Sequence, residues 1–103
     1  KATVRNSVAS GNSAVGYLSS AIGPTGGTEL TIEDSMAVGN GTGVRAEGFS
    51  GSKGVVRLSN STVIQNATGL QVTPSGVLYT RGNNTVAGNG TNVAGAVTPL
   101  PGI

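Results

Sequence analysis

The chain has 103 residues with six basic and four acidic side chains, a formal charge of +2, no cysteine and no histidine. Hydrophobic residues make up 36% and aromatics only 3%, so there is too little bulk for a wide globular core, and the length suits one domain. The missing cysteines and histidines exclude disulfides, thiol chemistry, a histidine base and an imidazole metal ligand.

In chain order, short alternating runs come first. Ala2-Thr-Val4, Leu30-Thr-Ile32, Val56-Arg-Leu58 and, less regularly, Val77-Leu-Tyr-Thr80 each alternate with β-branched residues and predict strands. After each run stands a polar residue, Asn6, Asp34, Asn60 and Asn83, followed by Ser7, Ser35, Ser61 and Asn84. Six residues on comes a second asparagine, the anchor: Asn12, Asn40, Asn66 and Asn89. Two residues past the anchor stand Ala14, Thr42, Thr68 and Thr91, and an apolar residue follows in the last three copies, Val44, Leu70 and Val93. The anchors are 28, 26 and 23 residues apart. A period in the twenties predicts a solenoid in which each copy is one coil.

Each coil offers three strand-length segments: before the first asparagine, between the two, and after the glycine that follows the anchor. Ile32, Leu58, Val44, Leu70, Val63 and Val86 are the expected inward residues, with Ile64 and Ala87 outward. The first copy admits two alignments. Either Asn12 is the anchor and one residue is deleted near Ala14, or Gly11 is the anchor and Val8 lies opposite Val63. Asparagine suits a corner because it tolerates left-handed backbone angles and bonds nearby peptide groups. Stacking then places Asn40, Asn66 and Asn89 in one hydrogen-bonded column.

Length varies only between the third strand of one coil and the first of the next. The connections are read as loops over 18–28 and 47–54 and a tight turn at Thr73-Pro-Ser-Gly76, with the two loops leaving one corner as the most mobile parts. The β-helix domain is placed at residues 1–95. The tail at 96–103 carries Pro99 and Pro101, which cannot donate ladder bonds, so it is expected to leave the sheet as an extended cap.

On these residues the chain resembles right-handed parallel β-helix proteins of the pectate-lyase-like superfamily, in particular bacterial ones with repeats of the form Asn-x-x-Val-x-x-Asn-x-x-Gly-Leu. The segment Arg81-Gly-Asn-Asn-Thr-Val-Ala-Gly-Asn-Gly90 looks like the last coil of such proteins. The resemblance implies an all-β solenoid of about four coils with three short strands each, and an extracellular or cell-surface location. It also implies a polysaccharide as the partner to consider. Lyases and hydrolases on this fold cluster acids with Arg or Lys beside the first sheet, for calcium or for paired acid and base. Glu29, Glu33 and Arg57 are the only near match here, and the remaining acids of a calcium cage are missing.

No catalytic, cofactor-binding or metal residue is therefore assigned, and no cofactor is expected. Asp34 takes a corner slot filled by Asn in the other coils. Glu33, with Arg5 and Arg57 on the neighbouring coils, is expected to form an exposed ion-pair row worth under about 1 kcal/mol per pair. The five Asn-x-Ser/Thr sequons begin at Asn40, Asn60, Asn66, Asn83 and Asn89, all repeat corners, so turn chemistry is preferred over glycosylation. Gly41-Thr-Gly-Val-Arg-Ala46 echoes a dinucleotide fingerprint but lacks a following helix. Tyr17, Phe49 and Tyr79 are too scattered for a stacking platform, and Phe49 at a loop tip is the best single contact. No basic cluster favours nucleic acid, and no apolar run is long enough for a membrane-spanning helix. The reading is a non-enzymatic structural or surface-displayed module, the terminal part of a longer bacterial exported protein, with a polysaccharide-binding or polysaccharide-processing module as the alternative. Open coil ends predict self-association through the N-terminal coil, or a missing upstream segment that normally covers it.

Overall fold

In a computed structural model, which describes residues 1–21, 27–49 and 51–99, the repeat winds into a parallel β-solenoid with three strands per coil. Coil 1 comprises β1 (Ala2–Arg5), β2 (Val8–Ser10) and β3 (Val15–Ala21), and coil 2 comprises β4 (Gly27–Glu33), β5 (Met36–Val38) and β6 (Thr42–Gly48). Coil 3 holds β7 (Lys53–Ser59), β8 (Thr62–Ile64) and β9 (Thr68–Val72). Coil 4 holds β10 (Gly76–Thr80), β11 (Thr85–Ala87) and β12 (Thr91–Ala94), and β13 (Thr98–Pro99) follows. The first sheet runs β1-β4-β7-β10-β13, the second β2-β5-β8-β11 and the third β3-β6-β9-β12, with every pairing parallel. There is no helix among the described residues.

The core is a set of columns one residue wide. Val4, Ile32 and Leu58 stack in the first sheet, as do Leu30, Val56 and Leu78. Ala9, Ala37, Val63 and Val86 form the column of the second sheet. Tyr17, Val44, Leu70 and Val93 form that of the third. Ile32, Val44, Val56, Leu58, Val63 and Leu78 are all within 1% of complete burial. Val63 and Val86 point inward as expected, while Ile64 is half-buried and Ala87 exposed.

The first copy takes the alignment anchored on Asn12, with its expected deletion corrected, and the alternative anchored on Gly11 is overturned. Asn12 is the anchor, because its backbone N–H and amide reach Asn40, and Ala9 rather than Val8 lies in register with Ala37 and Val63. The irregularity is an insertion and not a deletion. Val15 pairs with Thr42 and Tyr17 with Val44, so Tyr17 fills the inward slot one residue later than the other copies would place it.

The left-handed residues also differ from expectation. At the first corner they are the predicted Asn6, Asp34 and Asn60, with φ of 49°, 49° and 46°. In coil 4 Gly82 takes that conformation at 83°, one residue before Asn83. At the second corner the residue preceding each anchor turns the chain: Gly11, Gly39, Gln65 and Gly88, with φ of 69°, 70°, 56° and 66°. The anchor asparagines are there for their amides and not for a left-handed backbone.

The expected loops are shorter than the glycine and serine content suggested. Leu18–Ala21 continues β3, Gly27 and Thr28 open β4, Glu47 and Gly48 end β6, and Lys53 and Gly54 open β7. Residues 22–26 of the first loop lie outside the described residues. The connections leave one corner, since each joins the third sheet to the first. The small residues let those two sheets approach closely: a Cβ on Gly54 would overlap the carbonyl oxygen of Glu47, and one on Gly76 that of Ala46. Ser19 and Thr28 join hydroxyls across the gap at 2.7 Å. The tail rejoins the sheet too, with Thr98 and Pro99 in register with Tyr79 and Thr80. Pro99 is tolerated because β13 is the edge strand of the first sheet among the described residues.

Gln65 is the one non-glycine at its corner, and a side chain in that conformation costs roughly 1 kcal/mol. Gln65→Gly is expected to raise the urea midpoint, by up to about 1 kcal/mol of stability. Unchanged or lowered stability would show that the Gln65 side chain holds the corner by itself.

Candidate functional site

The residues that the sequence repeats most faithfully meet in two hydrogen-bonded columns. At the second corner Asn12 donates its backbone N–H and its amide to Asn40 Oδ1, at 3.0 and 2.8 Å. Asn40 does the same to Asn66 Oδ1, at 2.8 and 3.1 Å, and Asn66 to Asn89 Oδ1, at 2.9 and 3.0 Å. Each amide also donates backwards to a carbonyl of the preceding coil: Asn40 to Ala9, Asn66 to Ala37 and Asn89 to Val63. Asn40 and Asn66 are buried. At the first corner the backbone N–H of Ser7 reaches Ser35 Oγ, that of Ser35 reaches Ser61 Oγ, and that of Ser61 reaches Asn84 Oδ1.

Asn92 was missed. It receives Asn89's backbone N–H at 3.4 Å and its amide at 3.1 Å, and so ends the column within coil 4. The sequence held a signal, because three residues past the anchor the middle coils carry Gly43 and Gly69 where coil 4 carries Asn92.

The outer face of the first sheet carries the charged residues. Arg5 Nη2 lies 2.9 Å from Glu33 Oε2, as expected. Arg57 does not join that row. Its register partner in coil 2 is Thr31, midway between the two glutamates, and it reaches diagonally to Glu29 Oε1 at 2.6 Å. Its guanidinium carbon also lies 5.6 Å from the centre of the Tyr79 ring one coil above. The hydrogen bond from Arg57 and its charge, with Lys1 nearby, hold the Glu29 carboxyl below the usual range. That direction is wrong for a general acid, whose pKa must be raised towards the working pH.

Beside this face, along the first corner, runs an open concavity of about 450 Å³ that includes Asn6, Asp34, Asn60, Thr62, Val8 and Met36. Asp34 Oδ1 accepts the Asn60 amide at 2.6 Å, so this carboxylate acts as a corner residue. Among the described residues no three His, Cys, Asp or Glu side chains gather as a metal site. Phe49, 45% exposed, sits at the turn between β6 and β7, far along the chain from the other aromatics. The Gly41–Ala46 segment enters strand β6, so no helix follows its glycines. No helix among the described residues is long and apolar enough to cross a membrane. Of the sequon asparagines, Asn40 and Asn66 are buried in the column while Asn60 and Asn83 are exposed at the first corner.

Comparison with known proteins adds no relative: no family model, no curated protein and no solved structure matches the chain.

Two measurements probe these contacts. Asn66→Leu removes the acceptor of Asn40 and a donor to Ala37, leaving buried polar groups at about 1–3 kcal/mol each, so a loss of about 3 kcal/mol or more is expected in urea unfolding. A loss under about 0.5 kcal/mol, the size of an ordinary surface change, would mean that the column is incidental. For Glu29 the folded pKa is depressed, so its contribution is present above the usual carboxylate pKa and disappears as pH falls through the lowered folded value. The stability gap between the protein and Glu29→Gln should therefore close on acidification from pH ~7 to ~3. A gap that is independent of pH would assign the effect to something other than the ion pair.

Proposed function

We propose that this chain is a structural β-solenoid module without chemistry of its own, the terminal part of a longer, exported, surface-displayed protein of the bacterial pectate-lyase-like type. The observation that carries the reading is what the repeated polar residues do. Asn12, Asn40, Asn66, Asn89, Ser7, Ser35 and Ser61 all hydrogen-bond one coil to the next. The repeat thus maintains a scaffold and does not present a reactive group. The charged residues point the same way, since Glu29 and Glu33 are each held by an arginine and Asp34 by Asn60.

A second reading, binding of a polysaccharide, is favoured by the first-corner concavity. It offers the amides of Asn6 and Asn60, the Asp34 carboxylate and the Thr62 hydroxyl beside the apolar Val8 and Met36, the mixture that a sugar's hydroxyl and C–H faces require. A glycan array and pull-downs with insoluble polysaccharides at micromolar protein separate the two. The structural reading expects no polymer to be retained. Reproducible retention of one polymer, lost in an Asp34→Ala, Asn60→Ala double variant that still unfolds cooperatively, would replace it with the binding reading.

A further inference from the structure

The asparagine column has a direction. At every step the earlier coil donates and the later coil accepts: Asn12 to Asn40, Asn40 to Asn66, Asn66 to Asn89. The C-terminal side of any coil therefore presents donors and the N-terminal side presents an Oδ1 acceptor. The serine column runs the same way, with Oγ of the later coil accepting from the backbone of the earlier one.

The two ends of the stack are not equivalent in this respect. At the C-terminal end Asn89's donors are consumed by Asn92 of the same coil. Asn92 is the register equivalent of Gly69, since its neighbours Thr91 and Val93 pair with Thr68 and Leu70. In the lower coils that position is clear for the next anchor: a Cβ on Gly16, Gly43 or Gly69 would come within 2.9, 2.9 and 2.7 Å of the amide nitrogen of Asn40, Asn66 or Asn89. In coil 4 the Asn92 side chain occupies this room. The other columns also change character there. Thr80 stands over Leu58 and accepts from Asn84 and Gly82, Asn84 replaces the serine, and β13 covers the end of β10 with a proline.

At the N-terminal end nothing comparable is built. Among the described residues Asn12 Oδ1 and Ser7 Oγ have no donor, although their counterparts Asn40 Oδ1 and Ser35 Oγ each accept one or more bonds. Asn12 is exposed, and Val4, Ala9 and Tyr17 are only half-buried at the base of columns that are closed one coil above.

We propose that the N-terminal face is a docking surface for one further coil of the same asparagine repeat, and that the C-terminal face is closed to such addition by Asn92. The incoming coil would donate an anchor backbone N–H and amide to Asn12 Oδ1 and a backbone N–H to Ser7 Oγ. It would accept the second amide proton of Asn12 and cover Val4, Ala9 and Tyr17. A second copy of this chain does not supply these groups. Head-to-tail stacking offers a face on which Asn92 already takes the donors of Asn89, and a two-fold contact between N-terminal faces brings Asn12 Oδ1 and Ser7 Oγ no anchor backbone N–H. The inference rests on the structural reading above and deepens it by giving the module a direction of attachment.

The test is a set of extended chains. A copy of residues 29–54 placed before Lys1 continues the 26-residue spacing of coils 2 and 3 and brings its own Asn40 to the position below Asn12. The same segment placed after Ile103 is the control, and a third chain carries Asn40→Leu in the N-terminal copy alone. Urea unfolding, limited proteolysis and amide exchange are read for each, with sedimentation of the unextended chain. The N-terminal copy is expected to unfold in one transition with the rest, to raise the midpoint, and to slow exchange at residues 7–12 by about tenfold or more. The C-terminal copy is expected to leave the midpoint unchanged and to be cleaved, and the leucine version to lose most of the gain. Equal gains at both ends, a leucine copy as good as the asparagine one, a protease-sensitive N-terminal copy, or an unextended chain that dimerises through residues 2–12 would each overturn the proposal. A polysaccharide found in the pull-down would remove the structural reading while leaving these stability readouts as they are, so the two can fail separately.

Discussion

The geometry of this solenoid depends on one arrangement: a carboxamide oxygen that accepts, from the coil before it, both a backbone N–H and a side-chain amide. Asn40, Asn66 and Asn89 each do so, and Asn40 and Asn66 spend their own NH2 on the coil after and the coil before, while Asn89 spends its on Asn92 in its own coil and on the coil before. Each bond contributes about 1 kcal/mol net, while a buried amide or N–H left without a partner costs about 1–3 kcal/mol. The column therefore specifies register more by the penalty for slipping than by the gain of matching. A coil displaced by one residue would strand several polar groups at once and turn its inward valine outward.

Much of the remaining sequence follows from that column. The glycines at 16, 43 and 69 keep clear the space that the next asparagine fills, so the Gly after the anchor is a packing requirement of the coil above it. The residue before the anchor must adopt positive φ to deliver the asparagine inward, which explains Gly11, Gly39 and Gly88. Although the first coil carries one extra residue just after its anchor Asn12, the larger length differences collect at the third corner, where neither the asparagine nor the serine column passes. Even so, that corner is not loose. Gly48, Gly54 and Gly76 let the third and first sheets close on each other with almost no side chain between them. The same composition that reads as loop in a linear sequence here allows long strands to lie face to face.

The outer surface obeys a different logic. Arg57 lies between coils 2 and 4 in the first sheet, bonded to Glu29 on one side and set over Tyr79 on the other. Arg5 holds Glu33 in the same manner. These contacts lie at the surface, where solvent screens an ion pair, and each of the two carboxylates is matched by an arginine. The first corner is the more distinctive surface, since its left-handed residues Asn6, Asp34 and Asn60 project amides and a carboxylate beside Val8 and Met36.

The sequence by itself determined the number of coils, the three-strand repeat, the anchor column and the inward valines, because a solenoid writes each spatial column as a fixed interval in the chain. It also marked the first-corner residues, since Asn and Asp are the side chains that accept positive φ. Contacts that cross the repeat at an angle were decided only by the tertiary structure. The register partner of Arg57 is Thr31, which leaves both glutamates equally distant along the strand, and Arg57 pairs with Glu29 while Arg5 pairs with Glu33. Val15 and Tyr17 could not be placed until the pairing with Thr42 and Val44 showed an inserted residue. The Gly- and Ser-rich connections became strands because two sheets needed backbone without bulk, and Asn92 ends the column because its side chain stands where Gly69 leaves room one coil below and accepts from Asn89. Interval patterns carry what repeats, while the ends, insertions and diagonals are set by which groups three-dimensional packing leaves within reach.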